Sequence, residues 1–138
     1  MNKKDKTMHK VLQPSHWAPP RGYVNGVAAR GTQVFVAGQI GWNADCAFDT
    51  DDLVEQTRQA LLNVIAVLAE AGATPDHIVR MTWYLTDRSE YLARGKEIGA
   101  VFRDTIGSYA IAMTAVQVAA LIESRAKVEI EVTAVIPG

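Results

Sequence analysis

Cysteine is nearly absent from this sequence of 138 residues, in which Cys46 stands alone. A single cysteine can form no disulfide within the chain and no cysteine-based zinc site, and this pattern is typical of proteins kept in a reducing compartment. The three histidines, His9, His16 and His77, are far apart and match no metal-ligand spacing. The sequence therefore predicts a cytoplasmic protein without a metal site.

An excess of charge of one sign is also missing. The 14 lysines and arginines nearly balance the 15 acidic residues, and the net charge is -1. Such a chain offers no broad positive field to a phosphate backbone, which argues against nucleic acid as its main partner. No apolar run approaches the roughly 20 residues needed to cross a bilayer, and the lysine-rich start from Met1 to Lys10 lacks the apolar core of a secretion signal. We expect no membrane partner.

Motifs for cofactors and covalent catalysis are absent too. The glycines at 22, 26, 31 and 38 do not have the spacing of a dinucleotide or phosphate loop between a strand and a helix. No nucleophile motif surrounds a serine, and Cys46 belongs to a polar segment, Asn43 to Asp49, that suggests an incidental thiol. We therefore predict no cofactor and name no nucleophile.

The residues that are present are those of one folded domain. Hydrophobic residues make up 49% of the chain and charged residues 21%, which suffices for a core and argues against disorder. No linker composition divides the chain. We predict a flexible N-terminal extension over residues 1–10, in which Met8 is an alternative start, and a single domain over residues 11–138.

Hydrophobic periodicity predicts the first elements of this domain. After an irregular segment from Pro14 to Gly26, the run Gln33 to Ile40 is typical of a buried strand. Apolar residues at helical spacing predict a helix over Asp51 to Ala71, with Thr50 or Asp51 as its N-cap and Gly72 as its end. Period-two alternation predicts a strand over Ile78 to Thr86.

The second half predicts one more helix and two strands. The helix is capped by Asp87 or Ser89 and runs to about Ile106, and its Gly95 and Gly99 indicate close packing on a sheet. The segments Ala112 to Leu121 and Lys127 to Ile136 are predicted as the strands of a hairpin, joined through Glu123 to Ala126.

Two helices can cover only one face of the mixed sheet in this α+β domain. Polar and apolar residues alternate over Lys127 to Thr133, so the uncovered face is semi-polar and is either wet or in contact with a partner subunit. The apolar residues expected on this face, which are Phe35, Trp83 or Tyr84, and Met113, favour the partner.

Four ordered sequence blocks resemble one known family and span nearly all of the chain from Tyr23 onward. They are Gly22 to Val27 (GYVNGV), Val36 to Ile40 (VAGQI), Ala60 to Val64 (ALLNV), and the pair Val116 to Leu121 (VQVAAL) with Val128 to Val132 (VEIEV). The sequence is similar in these blocks to the Rid, or YjgF-type, reactive intermediate deaminases. The resemblance implies a chorismate-mutase-like fold and a homotrimer with a central barrel, whose inter-subunit clefts hydrolyse enamines and imines to 2-oxo acids and ammonia without a cofactor.

The resemblance also assigns site residues. It implies that Tyr23 contacts the ligand, that the backbone of Gly38 lines the cleft, and that Glu129 positions the attacking water, although a lone glutamate on a strand is as often simply solvated. Deaminating members carry an arginine for the substrate carboxylate where this chain has Met113, so the resemblance implies that Met113 and the adjoining Thr114 bind the ligand. A thioether gives soft apolar contact and no fork of donors. We therefore expect a ligand that is less anionic or bulkier than a compact 2-imino acid.

Three alternatives stay open at this stage. Arg80, Arg94 or Arg125 could replace the missing arginine, although each is better explained as a solvated charge. The cleft could bind a metabolite without chemistry, so that the protein is a sensing or interaction module. An endoribonuclease activity, attached to some relatives, is a weaker alternative because the charge is near neutral.

Overall fold

A computed structural model describes residues 9–107 and 110–138. Most of the predicted N-terminal extension therefore lies outside the described residues, whereas Lys10 already belongs to a strand. This strand, β1 (Lys10–Leu12), pairs antiparallel with β2 (Gly26–Ala28) and forms a small two-stranded sheet. The segment between the two strands is irregular, as its proline and glycine content predicts.

The main sheet is mixed and has four strands in the order β3-β6-β4-β5. These are β3 (Gly31–Ile40), β4 (Ile78–Leu85), β5 (Ala112–Gln117) and β6 (Val128–Pro137). Only β4 and β5 run parallel to each other. All four strands were predicted, with small differences at their ends.

The predicted hairpin of the last two strands is wrong. β6 lies between β3 and β4 and hydrogen-bonds to both, while β5 pairs with the far side of β4. The connection 118–127 passes the end of β4, where the Val118 N–H donates to the Leu85 carbonyl (2.8 Å) and the Thr86 N–H donates to that of Lys127 (3.2 Å). Two strands that are neighbours in sequence are thus separated because the more apolar one takes the centre of the sheet.

Helix α1 (Leu53–Glu70) confirms the strongest prediction of the sequence. Its N-cap is Asp52, whose carboxylate accepts from the Glu55 N–H at 3.0 Å, and neither Thr50 nor Asp51 caps it. Gly72 follows the end of the helix with φ +74°, a conformation that glycine adopts without strain.

The second predicted helix is two helices, α2 (Arg88–Ala93) and α3 (Gly95–Thr105), which meet at Arg94. Asp87, one of the two predicted caps, accepts from the Glu90 N–H at 3.0 Å. The predicted close packing of the helix glycines is also wrong: a Cβ on Gly95 would meet nothing within 4 Å, and one on Gly99 would meet only the Arg103 guanidinium at 3.6 Å.

The helices cover one face of the main sheet, as predicted. Met81, Trp83 and Leu85 of β4 alternate with exposed or half-buried residues and are buried in a core that they share with α1 and α3. On the other face Phe35 is 71% exposed. The expectation that Trp83 and Met113 lie on that face is wrong, because Trp83 is buried in the core and Met113 packs against it. No helix among residues 9–107 and 110–138 is long and apolar enough to cross a membrane.

Candidate functional site

A cavity of about 620 Å³ opens between the edge of the main sheet, the helices α2 and α3, and the segment 21–23. Its walls are Arg21, Gly22, Tyr23, Trp83, Tyr91, Leu92, Gly95, Ile98, Gly99, Phe102, Met113, Thr114 and Ala115. Three of the predicted ligand-binding residues, Tyr23, Met113 and Thr114, therefore lie on one cavity, although they are far apart in sequence.

Local backbone contacts explain how the chain builds this cavity. The Val24 N–H donates to the Ile111 carbonyl at 3.0 Å, which holds the segment 21–23 beside β5. The parallel register places Met81 opposite Met113 and Trp83 opposite Ala115, so these residues face the helices. Gly95 and Gly99 lie on the helical wall and add no side chains to it, which leaves the cavity open. Because an added Cβ would meet few or no atoms at either position, this open wall explains the two glycines better than close packing does.

The floor of the cavity is aromatic. Trp83 is 1% exposed, and its ring centroid lies 6.3 Å from those of both Tyr91 and Phe102. Burial raises the pKa of Tyr91, so its phenol stays neutral at physiological pH. The Trp83 indole Nε1 is buried and has no hydrogen-bond partner within the described part of the chain. Such a cavity suits a ligand with a flat apolar body.

Arg21 is the one charged residue among these walls, and sequence reasoning missed it. It makes no ion pair or hydrogen bond with any residue of the described ranges. A single arginine before the Gly-Tyr block belongs to no spacing pattern, so only the three-dimensional structure reveals its position on the cavity.

The arginines considered from the sequence all lie elsewhere. Arg94 binds Glu97 (2.8 Å) and Asp52 (3.0 Å), and these hydrogen bonds raise its pKa further. Arg125 binds Asp51 at 2.8 Å and stacks 5.4 Å from the centre of the Phe48 ring.

Arg80, the third of these arginines, lies on the uncovered sheet face beside Thr82 and Glu131. None of the three lines the cavity.

The other predicted site residues, Gly38 and Glu129, form a second group. Gly38 lies where the β3–β6 register shifts, and a Cβ on it would stand 2.8 Å from Cγ and Cδ of Glu129. The missing side chain of Gly38 thus makes the space in which the half-buried Glu129 carboxylate sits.

Glu129 shares its surroundings with polar side chains of neighbouring strands. Tyr84 lies directly opposite it in β4, and the Tyr84 hydroxyl donates to Glu131. This hydrogen bond is the main reason why the pKa of Tyr84 is raised, with smaller contributions from the negative charges of Glu131 and Glu129. An acidic, hydrogen-bonded patch of this kind can hold water and accept a proton from it.

The structure does not bring the two groups together within one chain. Met113 lies on the face of the sheet that packs against the helices, whereas Glu129 alternates with the buried Val128 and Ile130 and points to the other face. No cluster of metal-ligating side chains is found among the described residues.

Comparisons with known proteins agree on one family. Residues 14–136 match the family model described as Endoribonuclease L-PSP. A RutC family protein of Aquifex aeolicus is 31% identical over 129 residues, which cover 93% of this chain and 99% of that protein. TdcF of Escherichia coli, named as a candidate reactive intermediate deaminase, is 33% identical over 93% of this chain and 98% of its own length.

Solved structures give the same answer. The Rid family protein YyfB of Yersinia pestis, of unknown function, superposes with a TM-score of 0.78 at 32% identity and covers 94% of this chain and 99% of that one. E. coli TdcF, solved with bound serine, superposes with a TM-score of 0.67 at 29% identity over 92% of this chain and 98% of that one. The chain therefore belongs to the Rid (YjgF/RutC) family, as its four sequence blocks indicate.

Proposed function

We propose that this protein assembles as a homotrimer and hydrolyses a small imine or enamine metabolite in clefts between its subunits. The observation that carries this proposal is the division of the family's site residues between two faces of one chain. Tyr23, Met113 and Thr114 lie on the cavity, while Glu129 and Gly38 lie across the sheet. A site that uses both groups needs two copies of the chain, each supplying one group.

The chemistry needs only water. In this mechanism Glu129 accepts a proton from a water molecule while the water oxygen attacks the imine carbon. The electron pair of the C=N bond moves to nitrogen, which takes up a proton, and the resulting carbinolamine collapses to a carbonyl compound and ammonia. The half-buried position of Glu129 beside Gly38 fits a carboxylate that holds one water in place.

The ligand we propose is larger and more apolar than a compact 2-imino acid. Met113 contributes a polarizable apolar surface where deaminating relatives carry an arginine. The adjoining walls are aromatic, and a cavity of about 620 Å³ has room for more than a three-carbon substrate. By comparison, E. coli TdcF holds serine in its crystal structure.

Ammonia release tests this function. Freshly generated 2-aminoacrylate and the 2-imino acid of phenylalanine, produced in situ by an amino-acid oxidase, are supplied to the purified protein. We expect the aromatic imine to be the better substrate, because Met113 and the aromatic floor favour it. Turnover of 2-aminoacrylate equal to that of arginine-bearing relatives would contradict the role given to Met113.

Substitution of Glu129 tests the catalytic residue. Glu129→Gln keeps the size of the side chain and removes the base, so we expect hydrolysis to fall by about 100-fold or more. The matched control is Glu70→Gln, which changes an exposed carboxylate at the end of α1, outside both groups of site residues, and should retain most activity.

A non-catalytic binding protein is the second candidate, and the loss of the family arginine at Met113 favours it. Ligand binding without ammonia release above the spontaneous rate from any imine supplied would support this alternative. An endoribonuclease is not proposed, because the net charge of -1 gives RNA phosphates little attraction.

A further inference from the structure

We infer that Arg21 anchors the carboxylate of the ligand in place of the arginine that Met113 replaces. The ligand is then a monoanion with a large apolar or aromatic body. This inference rests on the proposed function, since it concerns the same cavity. It names the charge of the substrate class and assigns a specificity-determining residue on a segment other than the strand β5, on which the family arginine would lie.

Geometry is the first support. Arg21 and Met113 are walls of one cavity but come from different elements, the segment 21–23 and the strand β5. The hydrogen bond from the Val24 N–H to the Ile111 carbonyl holds these elements side by side. The long side chain of Arg21, which starts on the neighbouring segment, can therefore present its guanidinium to the same cavity that Met113 lines.

Charge is the second support. Among the described residues Arg21 has no ion-pair or hydrogen-bond partner, and no acidic residue lines the cavity. The cavity thus combines one uncompensated positive charge with apolar and aromatic walls. Its complement is a molecule that carries one negative charge at one end and an apolar group at the other.

The remaining candidates for this role are excluded by their contacts. Arg94 is already held by two carboxylates and Arg125 by one, and Arg80 lies on the other face of the sheet. A guanidinium with no carboxylate partner keeps all its donors for a ligand, and its fork matches the two oxygens of a carboxylate.

Paired probes test the anchor. Binding of 3-phenylpropionate and of its uncharged amide, 3-phenylpropanamide, is measured by calorimetry on the full chain as it assembles in solution. We expect the acid to bind about tenfold more tightly than the amide, the size expected of one charge-assisted hydrogen bond near water. In Arg21→Gln this preference should vanish, while the affinity for the amide stays within about twofold.

Two further variants sharpen the result. Arg30→Gln, which removes an exposed arginine outside the cavity, should keep the preference for the acid and so controls for net charge. In the double variant Arg21→Gln with Met113→Arg, the family arginine returns and the preference should reappear. If the role of Arg21 were structural, the returned arginine would not restore the segment 21–23, and the affinity for both probes would stay low in the double variant. The preference should also fall as the pH drops through the pKa of the ligand's own carboxyl group.

The outcomes separate this inference from the proposed function. A persisting acid preference in Arg21→Gln, or an equal loss of affinity for both probes, overturns the anchor and leaves the cavity as a binding site. If neither probe binds the unsubstituted protein, both the anchor and the proposed aromatic-ligand site are wrong.

Discussion

Gly38 and Gly41, near the end of β3, differ in the atoms that an added methyl group would meet. Substitution of the first should therefore affect activity, and substitution of the second should affect stability. At Gly38 the atoms in the way of a new Cβ belong to the Glu129 side chain. At Gly41 they include the Cα and carbonyl oxygen of Gln56 on α1, each at 2.6 Å. A flexible side chain can move away from an added methyl group, whereas a helix backbone cannot do so without displacing its packing.

Gly38→Ala should therefore impair activity more than folding. The added methyl group pushes the Glu129 carboxylate from its position, so we expect hydrolysis to fall by about tenfold or more with little change in the free energy of unfolding. Imine hydrolysis and urea denaturation, measured on the same preparation, check this. In a Glu129→Gln background Gly38→Ala should have almost no further effect on rate, and an additive loss would show that Gly38 acts in another way.

Gly41→Ala should show the opposite pattern. The methyl group meets α1 at Gln56, whose amide donates to the carbonyls of Thr50 and Arg125 (3.1 and 3.0 Å) and accepts from the Lys127 N–H (2.8 Å). We expect unfolding to become easier by about 1–3 kcal/mol, the usual cost of overpacking. A fully stable Gly41→Ala variant would mean that α1 can shift away from the sheet without loss.

At the scale of elements, Asp52 couples the start of α1 to the junction of α2 and α3. Its carboxylate accepts from the Glu55 N–H and from Arg94, each at 3.0 Å. The pKa of Asp52 is lowered, first by the hydrogen bond from the Glu55 backbone and then by the one from Arg94. The Asp52 side chain thus caps α1 and also holds Arg94, the residue between α2 and α3.

Substitutions of Asp52 should separate these two roles. Asp52→Ala loses the cap and should destabilise the fold by about 1 kcal/mol, whereas Asp52→Asn keeps a capping oxygen and should lose less. Because the folded-state pKa lies below the ordinary value of 3.8, the stabilisation from the charge is present at neutral pH and disappears as the pH falls through that lowered pKa.

Urea denaturation at a series of pH values, from neutral to well below the ordinary value of 3.8, measures this effect. The stability difference between the unsubstituted protein and Asp52→Asn should shrink on acidification. A difference that does not change with pH would contradict the part assigned to the charge and leave only the cap.

The elements also show which features the sequence determines locally. The bounds of α1 follow from the helical spacing of its apolar residues and from Gly72, and both signals lie within the segment itself. The partner of β6 does not follow in this way, because strand pairing depends on residues far apart in the chain, and the hairpin assumption fails. The break at Arg94 was missed because the periodicity of the apolar residues continues across it.

The residues of the candidate site also differ in whether the sequence alone could assign them. The resemblance assigned Tyr23, Met113 and Thr114 to one site, and the structure places all three on one cavity, since family motifs record positions that meet in space. Arg21 was missed because no motif contains it. The separation of Glu129 from Met113 by the sheet could have been inferred from strand alternation, but only once the order of the strands is known.

At the scale of the whole molecule, the proposed assembly depends on the uncovered sheet face. Phe35 is 71% exposed there, and Thr133, its pairing partner in β6, lies on the same face. Arg80, Thr82 and Glu131 complete a surface that mixes apolar and charged groups. Exposure of a large aromatic ring on a sheet is typical of a surface that another subunit covers.

The trimer proposed above predicts that sedimentation equilibrium gives the mass of three chains. Phe35→Asp should shift the protein toward the monomer, because a charge would be buried at the contact without a partner. Leu62→Asp is the matched control. It places the same charge on an exposed apolar position of α1, on the helical side of the molecule, and should leave the trimer intact.

The activity of the Phe35→Asp monomer then decides how the site is built. If each cleft combines the cavity of one chain with Glu129 of another, a folded monomer retains Arg21 and Met113 on its cavity but loses the carboxylate that activates water. Such a monomer should still bind 3-phenylpropionate, more weakly, and should not hydrolyse an imine. A monomer with native circular dichroism and full hydrolytic activity would show that one chain suffices. Glu129 would then act without the cavity, because the sheet of its own chain lies between them.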